Sequence, residues 1–375
     1  MEIERLQSDI FSMAKQHRVT KIAVSLALVA MAFVFSPPVL VAQTTATAPA
    51  AKQTPAKKTP ARATNPAPKK KAYSATTARA RRAQLVRARA AARARELREL
   101  QTPRFRVDEF GREVPDVRAE AAIIYNPETG EILWEDHSND QRSIASITKV
   151  MTALVFLESG APLSQQVTVQ RRDVSRASTT YLRNGFKLTA EDLLNLLLVG
   201  SDNAAARALA RVSPWGLDGF IQRMNERARE LGLESTTYAD PSGLLADNVS
   251  SAYDQARLIA YAAADERVGG IMRKTSYTMN IGKRQITANS TNQIVRNGDI
   301  DVVGGKTGFI SRSGYCLATL LRLPQSGQQV AFVILGAKSN ASRFWETRHL
   351  FNWMASRTKA LLEGDFQHQP QNEEE

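Results

Sequence analysis

A serine and a lysine three positions apart could form a nucleophile with its own base. Ser146 and Lys149 have this spacing at the start of the long apolar segment 143–160. On a helix, residues three apart lie on one face with Cβ atoms about 5–6 Å apart, so the amine can meet the hydroxyl. The amine can accept the proton only where burial or a second cation lowers its pKa. The spacing alone is not specific, because Ser12 and Lys15 share it.

Two polar triplets occur farther along the chain, where apolar elements are interrupted. They are Ser201, Asp202 and Asn203, and Lys306, Thr307 and Gly308. The first triplet follows a segment of buried character, where polar groups are costly unless each has a partner. The second opens a predicted strand, and its lysine could supply the second cation. Its threonine offers a hydroxyl for an anionic group, and its glycine leaves room for close backbone approach.

The three motifs, in the order S-x-x-K, S-D-N and K-T-G, resemble those of the penicillin-interacting serine enzymes. Residues 118–362 as a whole look like the D-alanyl-D-alanine carboxypeptidase family of low-molecular-mass penicillin-binding proteins. The segments that carry this resemblance are "IASITKVMTALV", "TTYADPSGL", "NVSSAYDQARL" and "GGKTGFISRSGYCLA". Because no further C-terminal β domain is expected, the sequence is most similar to the single-domain D-alanyl-D-alanine endopeptidase type.

The resemblance implies an acyl-enzyme mechanism on the stem peptides of peptidoglycan. Ser146 would attack the carbonyl of a D-alanine, and Lys149 would accept the serine proton. Ser201 and Lys306 would relay a proton to the leaving amine. β-Lactam antibiotics are expected to acylate the same serine, and no cofactor is expected.

The resemblance also implies which residues bind the substrate. Asn203 would hold the substrate's peptide amide, and Thr307, next to Gly308, would hold its carboxylate side. The backbone N–H groups of Ser146 and Phe309 would form an oxyanion hole, where loss of one donor typically costs about 10²–10³ in rate.

Several other functions are weighed against this one. A class A β-lactamase would need a glutamate-bearing E-x-x-L-N element after S-D-N, but the one match, Glu191 to Asn195, precedes it. A P-loop would need glycine at Ile300 and a following helix. A carboxypeptidase that trims pentapeptides and a non-catalytic scaffold that binds the cell envelope both stay open.

Histidine-dependent and metal-dependent chemistry is not expected. The sequence has no G-x-S-x-G elbow and no H-E-x-x-H motif. Two of its four histidines lie in the predicted tails, and the other two are isolated. The single cysteine, Cys316, excludes an intrachain disulfide, a CxxC pair and a thiolate zinc site. We predict no metal site.

Residues 105–363 are predicted to form one α/β catalytic domain that positions these motifs. Segments 121–125 and 132–134 suggest a hairpin around a Pro/Gly turn. Apolar periodicity predicts helices in the middle of the chain, and the C-terminal third changes to period two before a final helix. The expected architecture is the penicillin-binding-protein/β-lactamase-like transpeptidase fold, an antiparallel sheet of N- and C-terminal strands with an inserted helical subdomain.

The N-terminal segments predict export. Basic residues precede the apolar run 22–35, which suits a secretory signal over residues 1–42, and an uncleaved membrane anchor is the alternative. The protein is therefore expected in the periplasm or another exported location, either free or membrane-associated.

Residues 43–104 form a basic linker that carries the positive charge of the chain. They hold 16 Lys and Arg against 2 Glu, within a net charge of +13 for the whole chain. We predict a disordered spacer that continues into an arginine-rich helix at 78–100. The first interpretation of this helix is an ordinary solvated helix, and the functional alternative is adhesion to an anionic envelope surface. Export argues against nucleic acid as a partner. Residues 364–375 are expected to be a polar tail.

Overall fold

The computed structural model describes residues 75–363. The predicted signal at 1–42, the start of the basic linker at 43–74 and the polar tail at 364–375 lie outside the described residues. The helices are α1 (Ala75–Gln101), α2 (Lys149–Glu158), α3 (Arg171–Val174), α4 (Ala190–Val199), α5 (Asn203–Val212), α6 (Gly216–Glu230), α7 (Ala252–Ala264), α8 (Glu266–Met272), α9 (Gln293–Asn297) and α10 (Asn340–Glu363).

The strands of the described residues, in chain order, are β1 (Phe105–Val107), β2 (Glu113–Pro115), β3 (Ala121–Tyr125), β4 (Ile132–Asp136), β5 (Arg142–Ser143), β6 (Gln166–Thr168), β7 (Lys187–Thr189), β8 (Val249–Ser250), β9 (Ser276–Ile281), β10 (Arg284–Asn289), β11 (Val302–Ile310), β12 (Gly314–Arg322) and β13 (Gln329–Ala337). Five of them form the central antiparallel sheet, in the order β11-β12-β13-β3-β4. The N-terminal hairpin β3–β4 joins the C-terminal strands through β13, where Ile124 pairs with Phe332. The predicted fold class is confirmed.

The sheet separates two apolar cores because successive strand residues point to opposite faces. Ile123 and Val333 pack with the inserted helices on one face. Their neighbours Ile124 and Phe332 pack with α10 on the other. Both faces are therefore covered, which explains why β13 is almost entirely buried.

Helix α4 runs through the middle of the helical subdomain. Thr189 and Asp192, three residues apart, predict a capping box at its start. In the structure, the Thr189 hydroxyl accepts from the Asp192 N–H, and the Asp192 carboxylate accepts from the Thr189 N–H. Apart from Glu191 and Asp192, the side chains of the helix are buried. The helix ends at Gly200, directly before the first polar triplet.

Some expectations about the elements need correction. Strands β9 and β10 pair only with each other and do not enter the central sheet. The sequence of the final helix predicts that Phe344, Trp345, Phe351 and Met354 all face the sheet. In the structure, Phe344, Phe351 and Met354 lie in the core on the sheet, but Trp345 is only partly buried. Because adjacent helix residues differ by about 100° in direction, Phe344 and Trp345 cannot share one face.

The basic linker includes the long helix α1, and the helix predicted at 78–100 is present. All its described side chains are exposed, and no face of the helix is apolar. Residues 75–363 contain no helix with both the length and the apolar character of a membrane span.

Candidate active site

Ser146 lies in a 3₁₀ turn, Ala145–Thr148, that leads directly into α2. The sequence predicted a regular helix here, but the backbone at Ala145 has a φ of +48°. Two other chain segments press on this turn. A Cβ built on Gly243 would lie 2.0 Å from the Ala145 carbonyl oxygen, and one on Gly308 would lie 3.2 Å from the Ser146 nitrogen. The serine is thus held where three segments meet.

Lys149 is fully buried and its amine faces Ser146. Lys149 Nζ donates to Ser146 Oγ at 2.8 Å and to Asn203 Oδ1 at 2.7 Å. A third bond goes to the backbone carbonyl of Ser242. The pKa of Lys149 is lowered to about 7, because burial outweighs the charges of Asp240 and Asp202, which raise the pKa, and the charge of Arg207 adds to the lowering. A buried lysine with this pKa can lose its proton near neutral pH, as a lysine that acts as a base must do.

The first polar triplet forms the turn between α4 and α5. Ser201 has a left-handed backbone with a φ of +57°. Asp202 is fully buried and caps α5 by accepting from Ala205 N–H at 2.9 Å, and it also accepts from Tyr181 N–H. Desolvation raises the pKa of the Asp202 carboxyl. Asp202 is thus a structural partner of the turn, and Ser201 is left facing the second lysine.

Asn203 connects Lys149 to the neighbouring loop. Its Oδ1 accepts from Lys149, while its Nδ2 donates to the Ala177 carbonyl oxygen at 2.6 Å and to Ser178 Oγ at 3.3 Å. Both ends of the amide are engaged by protein groups. In this structure Asn203 therefore orients the lysine amine.

The second lysine, Lys306, is buried on β11 and faces Ser201. Its Nζ donates to Ser201 Oγ at 2.8 Å and to the Thr307 carbonyl oxygen at 3.0 Å. Burial lowers the pKa of Lys306 well below its ordinary value, and the charges of Lys149 and Arg343 lower it further. The sequence assigned the role of second cation beside Lys149 to Lys306. In the structure, Arg207 is the cation that lowers the pKa of Lys149.

Strand β11 brings the K-T-G motif beside Ser146 at the edge of the sheet. Thr307 Oγ1 and Thr291 Oγ1 lie 2.6 Å apart in a hydrogen bond. A Cβ on Gly308 would lie 2.5 Å from the Ile144 carbonyl oxygen, so only glycine allows this approach. Phe309 follows it, half-exposed and stacked on Tyr315 with ring centroids 4.2 Å apart.

A buried arginine ties this edge strand to α10. Arg343 Nη1 donates to the carbonyl oxygens of Gly308 at 3.0 Å and Cys316 at 3.2 Å. Burial lowers the pKa of Arg343 to about 10. Its Nε is buried without a hydrogen-bond partner. The guanidinium thus holds β11 in place beside Ser146 through α10.

The loop after Tyr238 also belongs to the site, although the sequence assigned it no role. The Asp240 carboxylate accepts from the N–H and hydroxyl of Ser242, from the Gly243 N–H at 2.9 Å and from Asn248 Nδ2. These bonds fold the loop so that the Ser242 carbonyl meets Lys149. The D-P-S-G string was the available signal, because Asp and Gly in this spacing favour a tight turn.

The residues expected to act together are therefore close to one another in the structure. Ser146 with Lys149 and Ser201 with Lys306 form two serine–lysine pairs, and β11 runs beside them. Within residues 75–363, no group of three or more His, Cys, Asp or Glu side chains is arranged to hold a metal ion. The arrangement can activate a serine hydroxyl with a buried amine and can move a second proton through a neighbouring hydroxyl.

Comparisons with known proteins agree with this geometry. The D-alanyl-D-alanine endopeptidase of Haemophilus influenzae is 32% identical over 228 residues, which are 60% of this chain and 78% of that protein. The Streptomyces K15 DD-transpeptidase structure is 26% identical with a TM-score of 0.60, covering 64% of this chain and 97% of its own. Penicillin-binding protein D2 of Listeria monocytogenes, in its cefotaxime-bound form, is 28% identical with a TM-score of 0.56, covering 64% of this chain and 98% of its own.

The fold and the two serine–lysine pairs define a serine peptidase of the penicillin-binding class. The family profile described as D-alanyl-D-alanine carboxypeptidase matches residues 108–339. The chain belongs to this family, and the family and the hydrolase class predicted from the sequence are confirmed.

Proposed function

We propose that this protein is a D-alanyl-D-alanine endopeptidase that cleaves crosslinks between stem peptides of peptidoglycan. The observation that carries the proposal is the 2.8 Å hydrogen bond between Lys149 Nζ and Ser146 Oγ, with the Lys149 pKa lowered to about 7. Near neutral pH, half of the amines are then free to act as a base. The similarity to a D-alanyl-D-alanine endopeptidase supports the choice of substrate.

In the acylation step, the neutral amine of Lys149 takes the hydroxyl proton as Ser146 Oγ attacks the D-alanine carbonyl. The backbone N–H groups of Ser146 and Phe309 stabilise the oxyanion that develops on the carbonyl oxygen. The tetrahedral intermediate collapses to an acyl-enzyme as the C–N bond breaks, and the amine that leaves takes up a proton. Water then attacks the ester carbonyl and gives a proton to the Ser201–Lys306 pair. The ester bond breaks as Lys149 returns its proton to Ser146 Oγ, which restores the free enzyme.

The second serine–lysine pair delivers the proton to the leaving amine. Lys306 Nζ lies 2.8 Å from Ser201 Oγ, so the hydroxyl can pass a proton outward and regain one from the lysine. Asn203 orients the Lys149 amine while the proton moves. The Thr307 hydroxyl, next to Gly308 on β11, binds the carboxylate side of the substrate, and Thr291 fixes its direction.

β-Lactams are proposed as covalent inhibitors that acylate Ser146. The relative from Listeria monocytogenes is described as a penicillin-binding protein in a cefotaxime-bound form, which supports this. The same nucleophile and oxyanion hole would serve an acyl group that hydrolyses slowly. A β-lactam therefore serves as a probe for acylation that does not depend on peptide specificity.

Digestion of two purified muropeptides tests the function. A crosslinked dimer and a pentapeptide monomer are incubated with the wild type and with Ser146→Ala, and the products are identified by mass spectrometry. We expect the wild type to split the dimer and the variant to leave both intact. Loss of only the terminal D-alanine would show a carboxypeptidase, and no change in either would favour a non-catalytic scaffold.

Export and attachment to an anionic envelope surface complete the proposed function. The basic flank and apolar run within residues 1–42 support passage through a membrane. Helix α1 presents arginines around its whole circumference with no apolar face, which suits a polyanion better than a protein groove. The linker would hold the enzyme close to its insoluble substrate.

A further inference from the structure

A cavity adjoins the loop whose Ser242 carbonyl contacts Lys149. It has a volume of about 400 Å³ and is bounded by the loop 239–245 and by α3, α5 and α6. The loop contributes the Ser242 carbonyl to Lys149, and α5 contributes Asn203 from its first residue. The cavity therefore shares two of its walls with the catalytic site. None of the roles described above uses it.

The cavity has an uncompensated positive charge. Arg211 forms two hydrogen bonds, at 3.0 and 2.8 Å, with the buried carboxylate of Asp173, so its charge is balanced. Arg207 donates only to the backbone carbonyl oxygens of Asp173 at 3.4 Å and Ser175 at 2.7 Å. In the described part of the chain, neither Arg207 nor the exposed Arg172 forms an ion pair with a carboxylate.

The other carboxylate at the cavity wall, that of Asp240, forms hydrogen bonds within its own loop. Asp240 accepts hydrogen bonds from the backbone and side chains of its own loop, including Gly243 N–H and Asn248 Nδ2. It forms no ion pair with Arg207 in the described structure, and its single negative charge faces the two positive charges of Arg172 and Arg207. An anion entering the cavity would meet cationic groups on the α3 and α5 walls.

The opposite wall is apolar and open to solvent. Leu217 of α6 is 43% exposed and Leu245 of the loop is 49% exposed, and Ile221 and Leu244 continue the same lining. Large exposed leucines beside unpaired arginines form a surface that is apolar on one side and cationic on the other. The complementary ligand is an aliphatic chain that ends in a carboxylate.

We propose that this cavity binds the carboxylate-bearing aliphatic side chain of the donor peptide, upstream of the D-alanine that acylates Ser146. The inference rests on the proposed function, because it takes a peptide as the acyl donor. The carboxylate would pair with Arg207 and Arg172, and the aliphatic part would lie on Leu217 and Leu245. Such a contact would give the enzyme a preference for peptides in which this carboxylate is free over those in which it is amidated.

The test compares two soluble donor peptides that differ only at that side chain, one with a carboxylate and one with the carboxamide. The full chain is assayed as wild type, Arg207→Gln and, as a matched control, Arg284→Gln in the exposed β9–β10 hairpin. We expect the wild type and the control to prefer the carboxylate by about tenfold in kcat/KM, mostly through KM, as one charge-assisted hydrogen bond would give. In Arg207→Gln the preference should fall close to one.

The ratio of the two peptides separates recognition from a general effect on the catalytic amine. Because the charge of Arg207 also lowers the pKa of Lys149, its removal changes the rate on both peptides. That common change cancels in the ratio. Equal rates on the two peptides in the wild type, or a preference that survives in Arg207→Gln, would overturn the inference.

Two further measurements keep the test decisive. Leu245→Ser alters an exposed position, so it can be assayed even where Arg207→Gln fails to fold, and it should raise KM for both peptides about three- to tenfold by removing apolar contact. An unchanged KM would count against the cavity.

Acylation of Ser146 by penicillin is measured in parallel. If it occurs while both peptides are cleaved equally, only the cavity inference fails, and if neither occurs, the proposed function fails with it.

Discussion

At the scale of single residues, the protonation state of Lys149 sets the pH dependence of acylation. Its pKa is lowered to about 7, and only the neutral amine can take the Ser146 proton. We therefore expect the rate of acylation by penicillin to rise about tenfold per pH unit up to a midpoint near pH 7 and to level off above it. Stopped-flow or mass-spectrometric labelling between pH 5 and 9 would measure this. A profile that is flat, or that still rises at pH 9, would contradict the assignment of the base.

Replacing the same lysine tests its role directly. Lys149→Ala should reduce the rate of acylation by about 10²–10⁴-fold, because no other described amine lies next to Ser146 Oγ. The variant should retain a cooperative thermal transition, since alanine also removes the cost of burying an amine. Penicillin labelling at the wild-type rate would refute the proposed base. Lys338→Ala, which changes a lysine outside the site, is the control.

The sequence predicted the side chains of the site better than their electrostatics. Residue types and spacing suggested Ser146 with Lys149, and the resemblance carried by S-x-x-K, S-D-N and K-T-G implied Ser201 with Lys306. The influence of Arg207 on Lys149 and the carbonyl of Ser242 could not be predicted in this way. Both depend on tertiary packing between α5, α2 and a loop that has no regular pattern.

At the scale of elements, the loop 240–245 is fixed by one carboxylate. Asp240→Ala removes the acceptor for the N–H groups and side chains that fold the loop, and the Ser242 carbonyl then loses its position on Lys149. We expect acylation to slow about 10- to 100-fold and the melting temperature to fall by several degrees. Asp301→Ala, which removes an exposed ion pair with Arg322, should change neither quantity appreciably. Equal effects of the two variants would contradict this role.

Close packing against Ser146 gives a second test at this scale. Gly243 and Gly327 have similar backbone angles, with φ of +76° and +71°, but only Gly243 has a neighbour where a Cβ would lie. Gly327→Ala should lower the free energy of unfolding by about 1–2 kcal/mol from backbone strain alone. Gly243→Ala should lower it by clearly more and should slow acylation, because the Ala145 carbonyl must shift. Chemical denaturation of both variants measures the difference, and equal losses would show that the turn adapts freely.

The elements themselves were largely predictable, while their partners were not. The capping box at Thr189 and the continuous apolar run of β13 marked a helix and a strand from local sequence alone. The sequence predicted both β10 and β11 as strands, but β10 remains in a hairpin with β9 while β11 enters the central sheet. Strand partnership depends on contacts between residues distant in sequence, so it appears only in the folded chain.

At the scale of the whole molecule, the excess positive charge is concentrated in the sequence of residues 43–104, which precede the catalytic domain. Changing Arg87, Arg89, Arg93 and Arg98 to Gln should weaken adhesion to anionic cell-wall polymer and flatten its dependence on salt, because fewer counterions are released. The same four positions changed to Lys should retain both. Cosedimentation with the polymer at salt concentrations from about 50 to about 300 mM would measure the adhesion and its dependence on salt. Adhesion that does not respond to salt in the wild type would contradict an electrostatic attachment.

The order of strands in the central sheet has a consequence for when the enzyme becomes active. Strand β3 pairs with β13, so residues 121–125 must find partners about two hundred positions away. Contacts of such long sequence separation form slowly, and they cannot form before the C-terminal third of the chain is available. Ser146 and Lys149 precede that point, whereas Lys306 and the Arg343 that anchors β11 lie close to it or beyond it. A nascent or truncated chain thus contains the nucleophile but not the assembled site, and hydrolysis is delayed until folding is complete.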